Sequence, residues 1–176
     1  YARILERKYG FGNVKLVPSP AGDISAFLNA KKIAQQSFIM SEPLTAKHQG
    51  ADVKVFPVAD TGYNPYTTVL AVSGENLRKN PDAAKRMTAA VGHGWRAYLD
   101  DPKSTNLAMH ALNPSMSDAA FAEVAEAQKP FIETAETGTQ GLGAMTRSRW
   151  EALIAQLKEL GDIQSSPAAD DCFRNL

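Results

Sequence analysis

The sequence predicts an α/β fold that gives way to an all-helical second part. Three observations carry this. Helical and strand patterns alternate through the first sixty residues. One further strand pattern follows at 67–73. Beyond residue 74 the only apolar periodicity is helical.

The elements follow in order. "YARILERKYG" reads as the end of a helix, with Ile4 and Leu5 on its apolar face and Gly10 closing it. "NVKLV", 13–17, alternates and is β-branched, so it predicts a strand. "PSPAGD", 18–23, is turn chemistry. Asp23 is placed to cap a helix whose face holds Ile24, Phe27 and Leu28. "IAQQSFIM", 33–40, predicts a second strand. "SEPLTAKHQG" predicts a short helix opened by Ser41, with Pro43 in its first turn and Gly50 at its end. "DVKVFPVA", 52–59, predicts a third strand, and "TTVLAVS", 67–73, a fourth.

Asn80-Pro81 starts a helix that runs to about residue 100, because Ala84, Met87, Val91, Trp95 and Tyr98 step by three and four. Asp101-Pro102 breaks it. "KSTNLAMHAL" is the next helix, closed by Asn113-Pro114. Ser117 caps "DAAFAEVAEAQ", which buries Phe121 and Val124. "TGTQGLGA", 137–144, reads as a glycine-rich loop. Thr146 opens a helix with a stripe of Trp150, Leu153, Ile154, Leu157 and Leu160, ending at Gly161. The polar tail, 162–176, is expected to be extended.

Bulk composition removes several function classes. Nineteen basic and nineteen acidic residues in 176 give a net charge of zero. A nucleic-acid binder shows a basic surplus or stripe, so no nucleic-acid partner is expected. No apolar run approaches the length of a membrane span. The single Cys172 admits no internal disulfide.

The sequence also offers no catalytic constellation. His48, His93 and His110 do not stand at metal-ligand spacing with one another or with cysteine. No nucleophile elbow and no phosphate-loop lysine motif is present. Cys172 has no local histidine to activate it. No catalytic residue, no metal and no cofactor is therefore expected.

Two stretches stand out as ligand-reading chemistry. In "QSFIMSEPLTA" an apolar strand delivers Ser41-Glu42-Pro43 where a helix begins, the place at which open α/β sheets bind ligands. Glu42 is suited to accept hydrogen bonds there. The plain structural alternative is a helix cap. In "DTGYNPY", 60–66, Gly62 permits close backbone approach and Pro65 holds Asn64 extended. Tyr63 and Tyr66 offer flat faces with hydroxyl rims, and Asn64 both a donor and an acceptor. The plain alternative is a turn with two half-buried tyrosines.

Taken in order, "AFLNAKKIAQQSFIMSEPLTAKHQG", the "VKVFPVADTGYNPYTTVLAVSGENLRKNPDAAKRMTAAVGHGWRAYLDDP" stretch and "GLGAMTRSRWEALIAQLKELGDI" resemble the second half of an ABC-transporter solute-binding protein of the NMT1/THI5-like, TauA/SsuA-like group. The resemblance runs over roughly 13 to 163. It implies a two-lobed fold of the periplasmic-binding-protein type II kind. By it, 1–61 belong to the second lobe, 62–66 form an inter-lobe crossing, and 67–176 complete the first lobe. It places Ser41, Glu42, Thr61, Gly62, Tyr63, Asn64 and Tyr66 at the ligand cleft.

The same resemblance implies a small-molecule ligand of the nitrate, sulfonate, taurine or thiamine-pyrimidine precursor type. It implies lobe closure as the mechanism, a membrane permease as partner, and a periplasmic or lipid-anchored extracytoplasmic location. No counterpart of the family's front half is seen, so the chain is expected to be a fragment or processed piece, or to receive that half from another chain or by swapping. Two other classes compete with this one. A THI5-like pyrimidine synthase consumes a histidine of its own, with iron and PLP, and needs that histidine and a cysteine-rich segment in places this chain does not show. A non-catalytic interaction domain on the same scaffold would bind no small ligand.

Overall fold

Every regular element formed by the described residues closes its hydrogen bonds locally. The computed structural model describes residues 1–20 and 22–176, and among these there are helices and no strand. The turn expected over 18–23 includes residue 21, which lies outside the described residues.

The helices begin and end where the sequence chemistry places them, with instructive exceptions. Helix α1 is Ala2–Tyr9, and Gly10 ends it at φ 65°, in the left-handed region that glycine enters at no steric cost. Helix α2, Ser25–Asn29, is short; the Asp23 carboxylate accepts from the Ser25 backbone N–H at 2.9 Å. That bond, followed by one to the Ser25 side chain, holds the Asp23 carboxyl below its ordinary range. Helix α3, Glu42–His48, carries Pro43 in its first turn.

Helix α4, Gly74–Lys79, was not expected. Ser73 caps it by accepting from the Asn76 N–H at 3.1 Å. Helix α5 is Pro81–Asp100 and α6 is Lys103–Leu112. Helix α7, Asp118–Ile132, is capped by Ser117 and runs through Pro130, four residues past the expected end.

Two expectations in the back half need correcting. The "TGTQGLGA" stretch is not all loop. Thr134 and Thr137 bond reciprocally, each side chain to the other's backbone N–H, and this capping box starts helix α8, Ala135–Gln140. Helix α9, Arg147–Glu159, follows. The tail is not simply extended either: it forms helix α10, Ala169–Cys172, with Ala169 buried. Its hold is specific. The Asn175 side chain accepts from Met145 N–H and donates to Met145 C=O, both at 2.9 Å, as a partner strand would.

The four segments read as strands, 13–17, 33–40, 52–59 and 67–73, take no part in a ladder. The last two residues of the third enter a 3₁₀ turn, Val58–Thr61. Among the described residues, therefore, the strands of the expected α/β alternation are not formed. The physical reason is that alternation specifies a strand's faces but not its partner, and a strand exists only when a neighbour satisfies its N–H and C=O groups. Their apolar residues are accordingly open to solvent, with Val17 70 % and Phe56 73 % exposed.

The chain divides into two compact units, Tyr1–Pro65 with Glu151–Ser166 and Tyr66–Trp150 with Pro167–Leu176. In the first, Ile24, Pro43, Ala46 and Ile154 are buried. Arg3 and Arg7 of α1 reach the carboxyl end of α9. They donate to the carbonyls of Leu160 and Glu159 and pair with Asp162 and Glu159. Guanidinium groups suit that end because its last carbonyls lack helical partners and carry the negative pole.

In the second unit α6 packs on α7 and α4 on α5. Leu99, Phe121 and Ala125 form the apolar core. Beside it, the Tyr98 hydroxyl donates to Asn106 Oδ1 at 3.0 Å and accepts from Gln128 Nε2 at 3.4 Å. Asn106 and Gln128 are buried, and this knot supplies the partner each needs. Arg96 bridges Asp100 and Glu133 at 2.8 and 2.7 Å, tying α5 to the end of α7.

Candidate functional site

The Ser41-Glu42-Pro43 turn is built by α3. Leu44 and Thr45 donate their backbone N–H groups to the Ser41 carbonyl, each at 3.1 Å. Pro43 and Ala46 are buried and anchor the turn from below. Ser41 does not cap with its side chain, so the plain alternative for its hydroxyl does not hold. Glu42 does the local work instead. Its Oε2 accepts from the Phe38 N–H at 2.9 Å, drawing the preceding segment onto the helix start. A carboxylate in the first turn also faces the positive helix end.

The second stretch is a loop with both of its first carbonyls held. Thr61 closes the 3₁₀ turn, and its hydroxyl donates to Val58 C=O at 2.6 Å. Gly62 follows at φ 92°, ψ 0°, and donates to Ala59 C=O at 3.0 Å. A side chain would strain that backbone, so glycine is required there by conformation. Lys8 donates to the Thr61 carbonyl, and Gln156 Nε2 donates to the Gly62 carbonyl at 2.9 Å. The loop entry is thus pinned from α1 and from α9 inside the first unit. Tyr63 is half-buried and Asn64 exposed.

Tyr66 belongs to the second unit and is held at its hydroxyl and at its ring. Its hydroxyl accepts from Thr146 N–H at 2.8 Å and donates to Glu136 Oε1 at 3.1 Å. The Arg149 guanidinium lies 4.0 Å from the ring centroid, a cation–π contact, and itself stands 3.7 Å from Glu136 Oε2. Trp150 leans on the ring at 6.3 Å between centroids, and Phe173 stacks on Trp150 at 5.9 Å and 3°. A tyrosine read as a ligand wall is, in its hydroxyl and one ring face, a structural tie.

Four residues that sequence reasoning did not single out support these stretches: Lys8, Gln156, Glu136 and Arg149. Nothing local marks them. They are 53, 94, 70 and 83 positions away from the residues they hold (Thr61, Gly62 and, for the last two, Tyr66). Among the described residues no three His, Cys, Asp or Glu side chains stand together as metal ligands. No helix among them is long and apolar enough to cross a membrane.

A search of curated proteins and a search of solved structures each return no match. A family model described as NMT1/THI5 like matches residues 5–105. The matched span takes in Ser41-Glu42-Pro43 and the whole 61–66 loop, and stops short of the "GLGAM…RW" segment. With 101 of 176 residues matched, the chain belongs to the NMT1/THI5-like family, whose fold is of the periplasmic-binding-protein kind and whose members are mostly binding proteins.

Proposed function

We propose that this protein is the solute-binding component of an ABC importer, working outside the cytoplasmic membrane with a membrane permease. The observation that carries the reading is the family match over 5–105, which contains both ligand-reading stretches. The fold we assign is the two-lobed α/β one of that family, with 1–61 in one lobe, 62–66 as the crossing and 67–176 in the other. Ligand binding shifts an open–closed equilibrium toward the closed form, which the transporter reads.

Within that reading Ser41, Glu42, Tyr63 and Asn64 contact the ligand, while Thr61 and Gly62 shape the loop that presents it. The Ser41 hydroxyl is not spent on capping, and Glu42 offers its Oε1 beside the Oε2 that holds Phe38. A carboxylate disfavours a bare anion such as nitrate or a sulfonate and favours a group that donates N–H bonds. The ligand class proposed is therefore an amine or an aminopyrimidine of the thiamine-precursor type.

A thermal-shift screen against aminopyrimidines, amines, sulfonates, nitrate and flavins tests this. A ligand held at a hundred times its Kd stabilises the protein by about 2.7 kcal/mol. The expected result is a shift with an aminopyrimidine or amine that falls in Glu42→Ala and Tyr63→Ala. A flat response to every class sinks the binding role. A response to sulfonate or nitrate alone overturns the role of Glu42.

A further inference from the structure

Residues 169–176 lie in the second unit and are held there by few contacts, each of them weak. Asp170 pairs with Arg147 at 3.1 Å, and both side chains stay more than half exposed. A pair so open to water adds little to stability. Phe173 stacks on Trp150, with ring centroids 5.9 Å apart and planes 3° apart. The Asn175 amide donates to the Met145 carbonyl and accepts from the Met145 N–H, both at 2.9 Å. Ala169 is the one buried residue of the segment. The receiving face carries a mark of its own. Trp150 Nε1 is shut from solvent and has no hydrogen-bond partner among the described residues. An unpaired buried donor destabilises the arrangement that shuts it in.

We infer that 169–176 is a releasable strap, and that the face it occupies is a docking site for an extended peptide of a partner protein. The chemistry of that peptide is read from the strap itself. It carries an acid, an aromatic ring three residues on and a side-chain amide two further, as Asp170, Phe173 and Asn175 do. Arg147 selects the acid by charge. The Trp150 ring takes the aromatic side chain in a stack. Met145 both gives and takes a hydrogen bond, which is one residue's share of β pairing.

Exchange of strap for peptide leaves no group stranded. A peptide of this pattern satisfies the same Met145 N–H and C=O that Asn175 releases, so the swap carries no desolvation penalty. The strap has the advantage of being tethered, which gives it a high effective concentration at the face. It therefore acts as an internal competitor, and the face opens fully to a partner when the strap is weakened. None of these residues is among those assigned to the small ligand, so the inference stands apart from that reading.

Two measurements on the full chain test this. The first is amide hydrogen exchange on the unaltered protein, read at Met145 and at Leu99, which is buried in α5. Corrected for intrinsic rates, Met145 should exchange more than about tenfold faster than Leu99, because the strap opens without global unfolding. Protection within that factor would make the strap part of the global fold and overturn the inference. The second uses a labelled peptide of residues 167–176 carrying Cys172→Ser, read by fluorescence anisotropy. It should bind the Phe173→Ala/Asn175→Ala protein at least about tenfold more tightly than the wild type, whose own strap competes. A peptide with the same two alanine substitutions should bind the variant at least about tenfold more weakly than the natural one, having lost the stack and the paired bonds. Absence of binding to the variant at millimolar peptide, equal binding to both proteins, or equal binding of both peptides would each sink the docking site. If the variant loses its helical circular dichroism, the segment belongs to the core, and the inference falls by that result too.

Discussion

At the scale of single residues the chain separates side chains that hold from side chains left open. Tyr63 and Tyr66 look alike in the sequence, three positions apart in one loop. One is half-buried, while the other has its hydroxyl and a ring face committed to Glu136, Thr146 and Arg149. Gly62 is the residue on which the loop's course depends. Its φ of 92° is strained for any L side chain, and an added Cβ would meet nothing within 4 Å. Gly62→Ala should therefore lose about 1–2 kcal/mol from backbone conformation alone, since no clash contributes. Urea denaturation reads this as a lower midpoint with an unchanged slope. A loss below a few tenths of a kcal/mol would mean that the loop adopts another path.

At the scale of elements, helices were legible and strands were not. The helix 81–100 is announced by Asn80-Pro81 and by apolar steps of three and four. The cap at Ser117 is present, with its hydroxyl accepting the Ala120 N–H at 3.2 Å. Removing it in Ser117→Ala should cost about 1 kcal/mol, and Ser117→Asp or Ser117→Asn should cost far less, measured by chemical denaturation. A cost equal for all three substitutions would assign the effect to something other than the cap. Helix α8 was hidden because its start depends on a Thr134–Thr137 exchange of bonds, while Gly138, Gly141 and Gly143 suggest a loop. Helix α4 was hidden by its length. Six residues are too few for apolar periodicity to declare itself, so its cap alone marks it.

At the scale of the whole molecule, charge is the property that the sequence settles most firmly. Nineteen positive and nineteen negative side chains place the isoelectric point near 7.0. Several strand-like segments also leave Val14, Leu16, Val17, Phe38 and Phe56 exposed. With no net charge to keep copies apart, such surfaces associate most readily near neutral pH. Solubility, read as the polyethylene-glycol precipitation midpoint, should pass through a minimum near pH 7 and rise on both sides. A monotonic profile between pH 5 and 9 would contradict this. The family is carried instead by the resemblance in the order of its motifs, which points to the NMT1/THI5-like group, and the family match over 5–105 bears that out.

The sequence alone determined the longer helices, the Ser117 cap, the zero net charge and the family resemblance, because each depends on residues near one another in the chain, on composition or on the order of motifs along the chain. Only the tertiary structure decided which residues hold the 61–66 loop. Lys8, Gln156, Glu136 and Arg149 reach it across 53 to 94 positions, and nothing in a local pattern records such a pairing. The strand segments show the same limit from the other side. Alternation at 13–17 or 67–73 says which face is apolar, but the hydrogen bonds that make a strand belong to its neighbour. A helix carries its partners within itself; a ladder and a loop's supports must be brought from elsewhere in space.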